Sequence, residues 1–222
     1  MKNWLFSILF FSAFFSALFS ALFSTEAWAE IQLKSVEYRG SGCPQGSVRA
    51  VLAPDGSAFS VLYDRYNTEV GEQISLARKT CSVILHLTKP RNLGFRVDAA
   101  DFRGFVALDE NVVASQNVKV MSGPNPGHRK LSAEFGNQVW KGPINEDYTL
   151  RAVRPVNRRP PILDCVPRKE NTDIVVDSTV QITNGGPNKN GQLTVDTADG
   201  VLLQKFSLTW IDCSSGRGRG GR

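Results

Sequence analysis

The chain has 222 residues, 41% of them hydrophobic, with a formal net charge of +5, four cysteines and two histidines. That length allows one sizeable core or two small ones. Two histidines exclude a three-histidine zinc centre, and the cysteines at 43, 81, 165 and 213 include no C-x-x-C pair, so no metal site is expected.

The chain opens Met1-Lys-Asn-Trp-Leu-Phe, runs through Phe, Leu, Ser and Ala to Phe23, and reaches Ala27-Trp28-Ala29. That is the small-x-small pattern at which a signal peptidase cuts. Residues 1–29 read as a signal peptide and Glu30 as the first mature residue, which leaves 193 of the 222 residues. The apolar run is longer than an ordinary signal core, so an uncleaved membrane anchor is the competing reading. No cysteine stands near the cleavage site, which excludes a lipoprotein anchor, and no later stretch could span a bilayer as a helix. Removing the leader takes away Lys2 and Glu26 and leaves the charge unchanged; the surplus lies in residues 151–169 and in the tail. The expected compartment is extracellular or periplasmic.

In an exported chain, four cysteines read as two disulfides. Gly40-Ser-Gly-Cys-Pro-Gln-Gly-Ser47 is a tight turn between extended segments at 31–38 and 47–52, its glycines supplying positive φ around a proline-fixed bend. Cys81 opens a strand in which Cys81, Val83, Leu85 and Leu87 share one face. Of the three possible connectivities we favour Cys43–Cys81 with Cys165–Cys213, because the other two cross the halves of the chain. A ring of roughly forty residues stabilises by about 4 kcal/mol at most.

Helical periodicity is nearly absent. Segments 47–52 and 59–63 flank Pro54-Asp55-Gly56 and read as a hairpin, while residues 64–78 read as a long polar loop with at most one helical turn. Short strands are expected at 93–97, 101–108, 117–121, 130–135 and 148–153. A basic segment at 154–169 with four prolines then interrupts them. Strands resume at 174–182 and 192–196. A last one at 203–213 has apolar residues on both faces, as a central or doubly covered strand would. The fold class is all-β, an antiparallel β-sandwich stapled by two disulfides. Residues 30–213 form a single domain, its part after the proline-rich segment loosely distinguished, and residues 214–222 form a disordered Gly/Arg tail.

Gly42-Cys43-Pro44-x-Gly46, Arg78-Lys79-x-Cys81, Asp101-Phe-Arg-Gly104, Cys165 and Leu208-Thr-Trp210-x-x-Cys213, in that order, resemble the secreted domain-of-unknown-function family numbered 4360, over about residues 36–213. Its members are exported β-rich proteins of bacteria and fungi with no established active site. The resemblance implies an exported β fold and supplies no catalytic residue; the Gly-Arg tail departs from it.

Candidate chemistry is sparse. His86 lies on the polar face of its strand and His128 in a loop, neither beside a nucleophile elbow. A glycan hydrolase needs two converging carboxylates, for which Asp98, Asp101, Asp109, Glu110, Glu146, Asp147, Asp173 and Asp177 are available. Asp196-Thr-Ala-Asp-Gly200 faintly resembles a calcium loop but lacks the remaining ligands, so a turn is the better reading. Arg103 is read as structural, bridging strands through a carboxylate such as Asp101. Arg154, Arg158, Arg159, Arg217, Arg219 and Arg222 are candidate contacts for a polyanion, which outside the cell is a surface glycan, anionic lipid or extracellular nucleic acid, not genomic DNA. No cofactor is implied. The leading expectation is a non-catalytic binding or interaction module using loops 64–78 and 154–169, with a cell-surface polyanion or an extracellular protein as partner. A carboxylate-based hydrolase and a secreted protease inhibitor are the rivals.

Overall fold

Alternation of apolar and polar residues resolves into strands throughout. The computed structural model describes residues 30–123, 132–153, 162–166, 168–195 and 204–213, among which there is no helix. The strands are β1 (Gln32–Arg39), β2 (Val48–Leu52), β3 (Ala58–Tyr63), β4 (Asn67–Val70), β5 (Leu76–Thr88) and β6 (Leu93–Leu108). They continue as β7 (Val113–Ser122), β8 (Ser132–Lys141), β9 (Ile144–Val153), β10 (Asn171–Thr183), β11 (Gly191–Thr194) and β12 (Gln204–Asp212). One sheet has the order β1-β5-β10-β7-β8. The other runs β2-β3-β12-β6-β11-β4, with β9 on the free side of β6. Every pairing is antiparallel.

The inner faces meet through large side chains. Phe59 and Phe206 stack at 4.7 Å, and Phe135 of the five-stranded sheet meets Phe206 edge-on at 6.3 Å. A buried polar chain also joins the sheets: Tyr63 Oη donates to Gln204 Oε1 at 3.1 Å, and Gln204 Nε2 donates to Ser178 Oγ at 3.4 Å. Pairing its buried polar atoms this way spares the core a desolvation cost of about 1–3 kcal/mol per group.

Both disulfides expected from the sequence are formed, Cys43–Cys81 and Cys165–Cys213, each with Cα atoms 5.5 Å apart. The first fastens the glycine turn to β5, where Gly42 N–H also donates to Thr80 C=O at 2.9 Å. Gly40 has φ 141°, and a Cβ there would lie 2.1 Å from the Thr80 carbonyl oxygen. Only glycine permits that approach.

Several expectations are corrected. Residues 64–78 are not one loop: Thr68 and Val70 are buried at period two and make β4, and the first, exposed turns of β5 are held by backbone pairing to Thr179–Thr183 of β10. Segments 93–97 and 101–108 are one strand, continuous through a bulge at Asp98, where the β12 register shifts between Ser207 and Leu208. Of the two readings of the last strand, the central one holds, since β12 lies between β3 and β6, and double cover does not: Gln204, Phe206 and Leu208 are buried while Lys205 is exposed. The strands after the proline-rich segment are not set apart, since β10 and β12 are each flanked on both sides by N-terminal strands.

Candidate functional site

The outward face of the seven-stranded sheet carries side chains in cross-strand rows. At one end the row reads Asn145 (β9), Ala107 (β6), Gln192 (β11), Glu69 (β4). The next row on the same face reads Asp147, Phe105, Thr194, Asn67. Because Ala107 is small, the first row dips between its taller neighbours, which stand two strand spacings apart, about 9.5 Å. The resulting open groove has a volume of about 680 Å³, and Asp109, Asn190 and Pro143 close its end.

Hydrogen bonds orient its walls. Gln192 Nε2 donates to Glu69 Oε1 at 3.4 Å, and Asp109 Oδ2 accepts the Asn190 backbone N–H at 2.7 Å. Asp109 thereby holds the turn before β11 onto the end of β6. Of the carboxylates singled out in the sequence, Asp109 alone lies in this groove; its companion there, Glu69, was missed because it sits in a stretch read as loop.

The other candidates are dispersed. Asp98, at the bulge, accepts from Arg96 Nε and from the Thr209 hydroxyl. Asp101 does not bridge to Arg103; it takes Arg151 Nη1 of β9 at 3.0 and 3.1 Å. Arg103 is exposed and forms no ion pair with a described residue. Phe102 packs edge-on to Phe206 in the core. Glu110, Glu146 and Asp147 are exposed. His86 stands on the outward face of the other sheet between two carboxylates, with Nδ1 2.8 Å from Asp173 Oδ1 and Nε2 3.4 Å from Glu37 Oε1. Ser35 is opposite His86 in register, and both ring nitrogens face carboxylates. Asp177 occupies the same outer face two residues from Val175. His128, residues 196–200 and the basic positions Arg154, Arg158, Arg159, Arg217, Arg219 and Arg222 lie outside the described residues.

Inside the basic segment, Asp164 is mostly buried. Lys169 Nζ donates to its Oδ1 at 3.1 Å, and the fully buried Lys89 Nζ lies 4.0 Å from Oδ2 while donating to Lys169 C=O at 2.9 Å. Burial lowers the Lys89 pKa, against the pull of Asp164. Burial likewise raises the phenol pKa of Tyr63, Tyr66 and Tyr148. Among the described residues no group of three His, Cys, Asp or Glu is placed to hold a metal ion.

A family model described as "Domain of unknown function (DUF4360)" matches residues 29–213, and the chain belongs to that family. A relative from Arthroderma benhamiae described as "Uncharacterized secreted protein" is 28% identical over 189 residues, 84% of this chain and 73% of its own. Among solved structures, the carbohydrate-binding module TmCBM61 in complex with β-1,4-galactotriose aligns over 80% of this chain and 90% of its own, at 12% identity and a TM-score of 0.23. The family 11 carbohydrate-binding module of Lic26A-Cel5E from Clostridium thermocellum aligns over 84% and 92%, at 11% identity and a TM-score of 0.21. At TM-scores of 0.23 and 0.21 these likenesses carry no argument about a ligand.

Proposed function

We propose that the chain is an exported binding module that performs no chemistry itself. Export is supported by the leader pattern in residues 1–29, by two disulfides that suit an oxidising compartment, and by the secreted relative. The observation that carries the binding reading is the groove at Ala107, where Glu69, Asn145 and Gln192 are held on paired strands and Asp109 fixes the adjoining turn through the Asn190 N–H, so little ordering is needed to meet a partner. The surface is therefore assigned to the sheet, in place of loop 64–78. Arg154, Arg158, Arg159, Arg217, Arg219 and Arg222 are proposed as a separate, salt-sensitive contact for polyanions.

The hydrolase reading rests on Glu69 and Asp109 sharing the groove. Against it stand the backbone N–H that occupies Asp109 and the openness of the groove to water, which weakens any charge stabilisation there. The inhibitor reading finds little support among the described residues, because the disulfide-braced turn around Cys43 is bonded back onto β5 and Cys43 is buried. Incubating the mature protein with extracellular polysaccharides and assaying released reducing ends separates the readings. The expected result is retention without release. Release that disappears in both Glu69→Gln and Asp109→Asn would establish the hydrolase.

A further inference from the structure

We infer that the groove across Asn145, Ala107, Gln192 and Glu69 takes a neutral glycan chain. The inference rests on the binding-module reading and names its ligand class.

Charge gives the first step. Among the described residues the groove is lined by the carboxylates Glu69 and Asp109 and by no Lys, Arg or His. A chain bearing sulfate, phosphate or uronate would meet only like charge there. The nearest cation along β6 is Arg103, four residues from Ala107 and so about 13 Å away. Lys141 and Lys189 stand close in sequence to Pro143 and Asn190 without lining the groove, so within its lining a polyanion meets carboxylates alone.

Hydrogen-bonding capacity gives the second. Three carboxamides, Asn145, Asn190 and Gln192, line the groove. Each offers two N–H donors and a carbonyl acceptor, which matches adjacent hydroxyls that both donate and accept. The carboxylates accept from hydroxyls as well and, through the Gln192 and Asn190 contacts, fix where the amides point. Both carboxylates keep their charge in these contacts, so a cationic glycan is the competitor that the test must separate from a neutral one.

Shape gives the third. Ala107 in the floor and Pro143 beside Asp109 and Asn190 at the end are its outward apolar side chains, and suit the C–H faces of sugar rings, while Val70 and Leu108 turn into the core. Phe105 is half-buried one row further along the same face and extends this apolar track. The groove is open along its length and closed at the Asp109 end, so a chain lies in it and extends outward past Phe105; a lone small molecule would want a pocket that buries most of its surface.

The test is affinity electrophoresis of the full mature chain through gels containing neutral polysaccharides (a β-glucan, a mannan, a galactan), anionic ones (heparin, polygalacturonate) and cationic chitosan. At least one neutral polysaccharide is expected to retard the protein, with little dependence on salt. The double variant Asn145→Ala/Gln192→Ala is expected to weaken that at least tenfold. Lys34→Ala on the opposite sheet should not, and circular dichroism should show both variants folded. Neutral binding that survives the double variant overturns the site. Retention only by chitosan or only by anionic gels overturns the ligand class but leaves a binding module. Retardation by no glycan, together with capture of a protein partner that Asn145→Ala/Gln192→Ala abolishes, does the same, whereas release of reducing ends overturns the binding-module reading itself.

Discussion

Gly104 has no room for a side chain: a Cβ built there lies 2.2 Å from the Thr194 carbonyl oxygen and 2.5 Å from Tyr148 Oη. Tyr148 is pinned in turn, donating to Gln116 Oε1 at 3.1 Å and lying 3.2 Å from that Thr194 oxygen. Gly104→Ala should destabilise by about 1–3 kcal/mol, measured by urea unfolding. Adding Tyr148→Phe should relieve only part of this, since the backbone clash stays. A neutral Gly104→Ala would show that β11 does not pack as described. The motif Asp101-Phe-Arg-Gly104 is thus explained as a core phenylalanine, a glycine under a tyrosine hydroxyl and a carboxylate facing outward. The partner of that carboxylate was misread for a physical reason. Residues two apart on a strand are separated by about 6.5–7 Å, whereas directly opposed residues on paired strands approach to about 4.5–5.5 Å, so Arg151 on β9 outcompetes Arg103 for Asp101. Because Arg151 is largely exposed, Arg151→Ala should cost no more than about 1 kcal/mol, and Arg103→Ala less, in thermal unfolding. A larger loss at Arg103 would reverse that assignment.

At the scale of elements, alternation and turn residues made the strands legible but not their lengths or their neighbours. The hairpin of β2 and β3 around Pro54-Asp55-Gly56 was readable because the turn is local, with Asp55 accepting from the Ser57 N–H and hydroxyl. β4 was not, because two buried residues in four make too short a pattern, and its stability comes from β11, more than a hundred residues later. The groove was illegible for the same reason: Glu69, Ala107, Asn145 and Gln192 belong to four strands whose pairing no local pattern announces. The disulfide pairing was correct although its argument was not. It supposed two halves assembled separately, whereas β10 and β12 run through the middle of both sheets. Non-reducing peptide mapping should return Cys43 joined to Cys81 and Cys165 joined to Cys213. With sequence separations of 38 and 48, replacing both cysteines of either pair by Ser should cost about 2–4 kcal/mol. Crossed peptides or free thiols would contradict the topology.

For the whole molecule, the buried titratable groups set an alkaline limit. Tyr63, Tyr66 and Tyr148 hold their protons more tightly when folded than the ordinary phenol pKa of 10.0 allows the unfolded chain. Above about pH 10 the folded state binds more protons, so stability falls as pH rises. Lys89 acts oppositely: its folded pKa is depressed below 10.5, so stability gains as pH climbs from that lowered value toward 10.5. Three phenols against one amine should leave a net loss above about pH 10, and Tyr148→Phe should flatten it, as followed by urea unfolding from about pH 8 to pH 12. A stability that keeps rising across that range would contradict the burial of these tyrosines. Mass spectrometry of protein from the medium should find Glu30 at its N-terminus, and an intact Met1 in a membrane fraction would make the leader an anchor. The central claim, that the polar face of the seven-stranded sheet is where this module meets its ligand, is tested most directly by amide chemical-shift mapping of the labelled protein during titration with a soluble neutral oligosaccharide. The account predicts saturable shifts centred on Phe105, Ala107, Asn145 and Gln192. Shifts clustered instead around Glu37, His86 and Asp173 on the opposite sheet would contradict it.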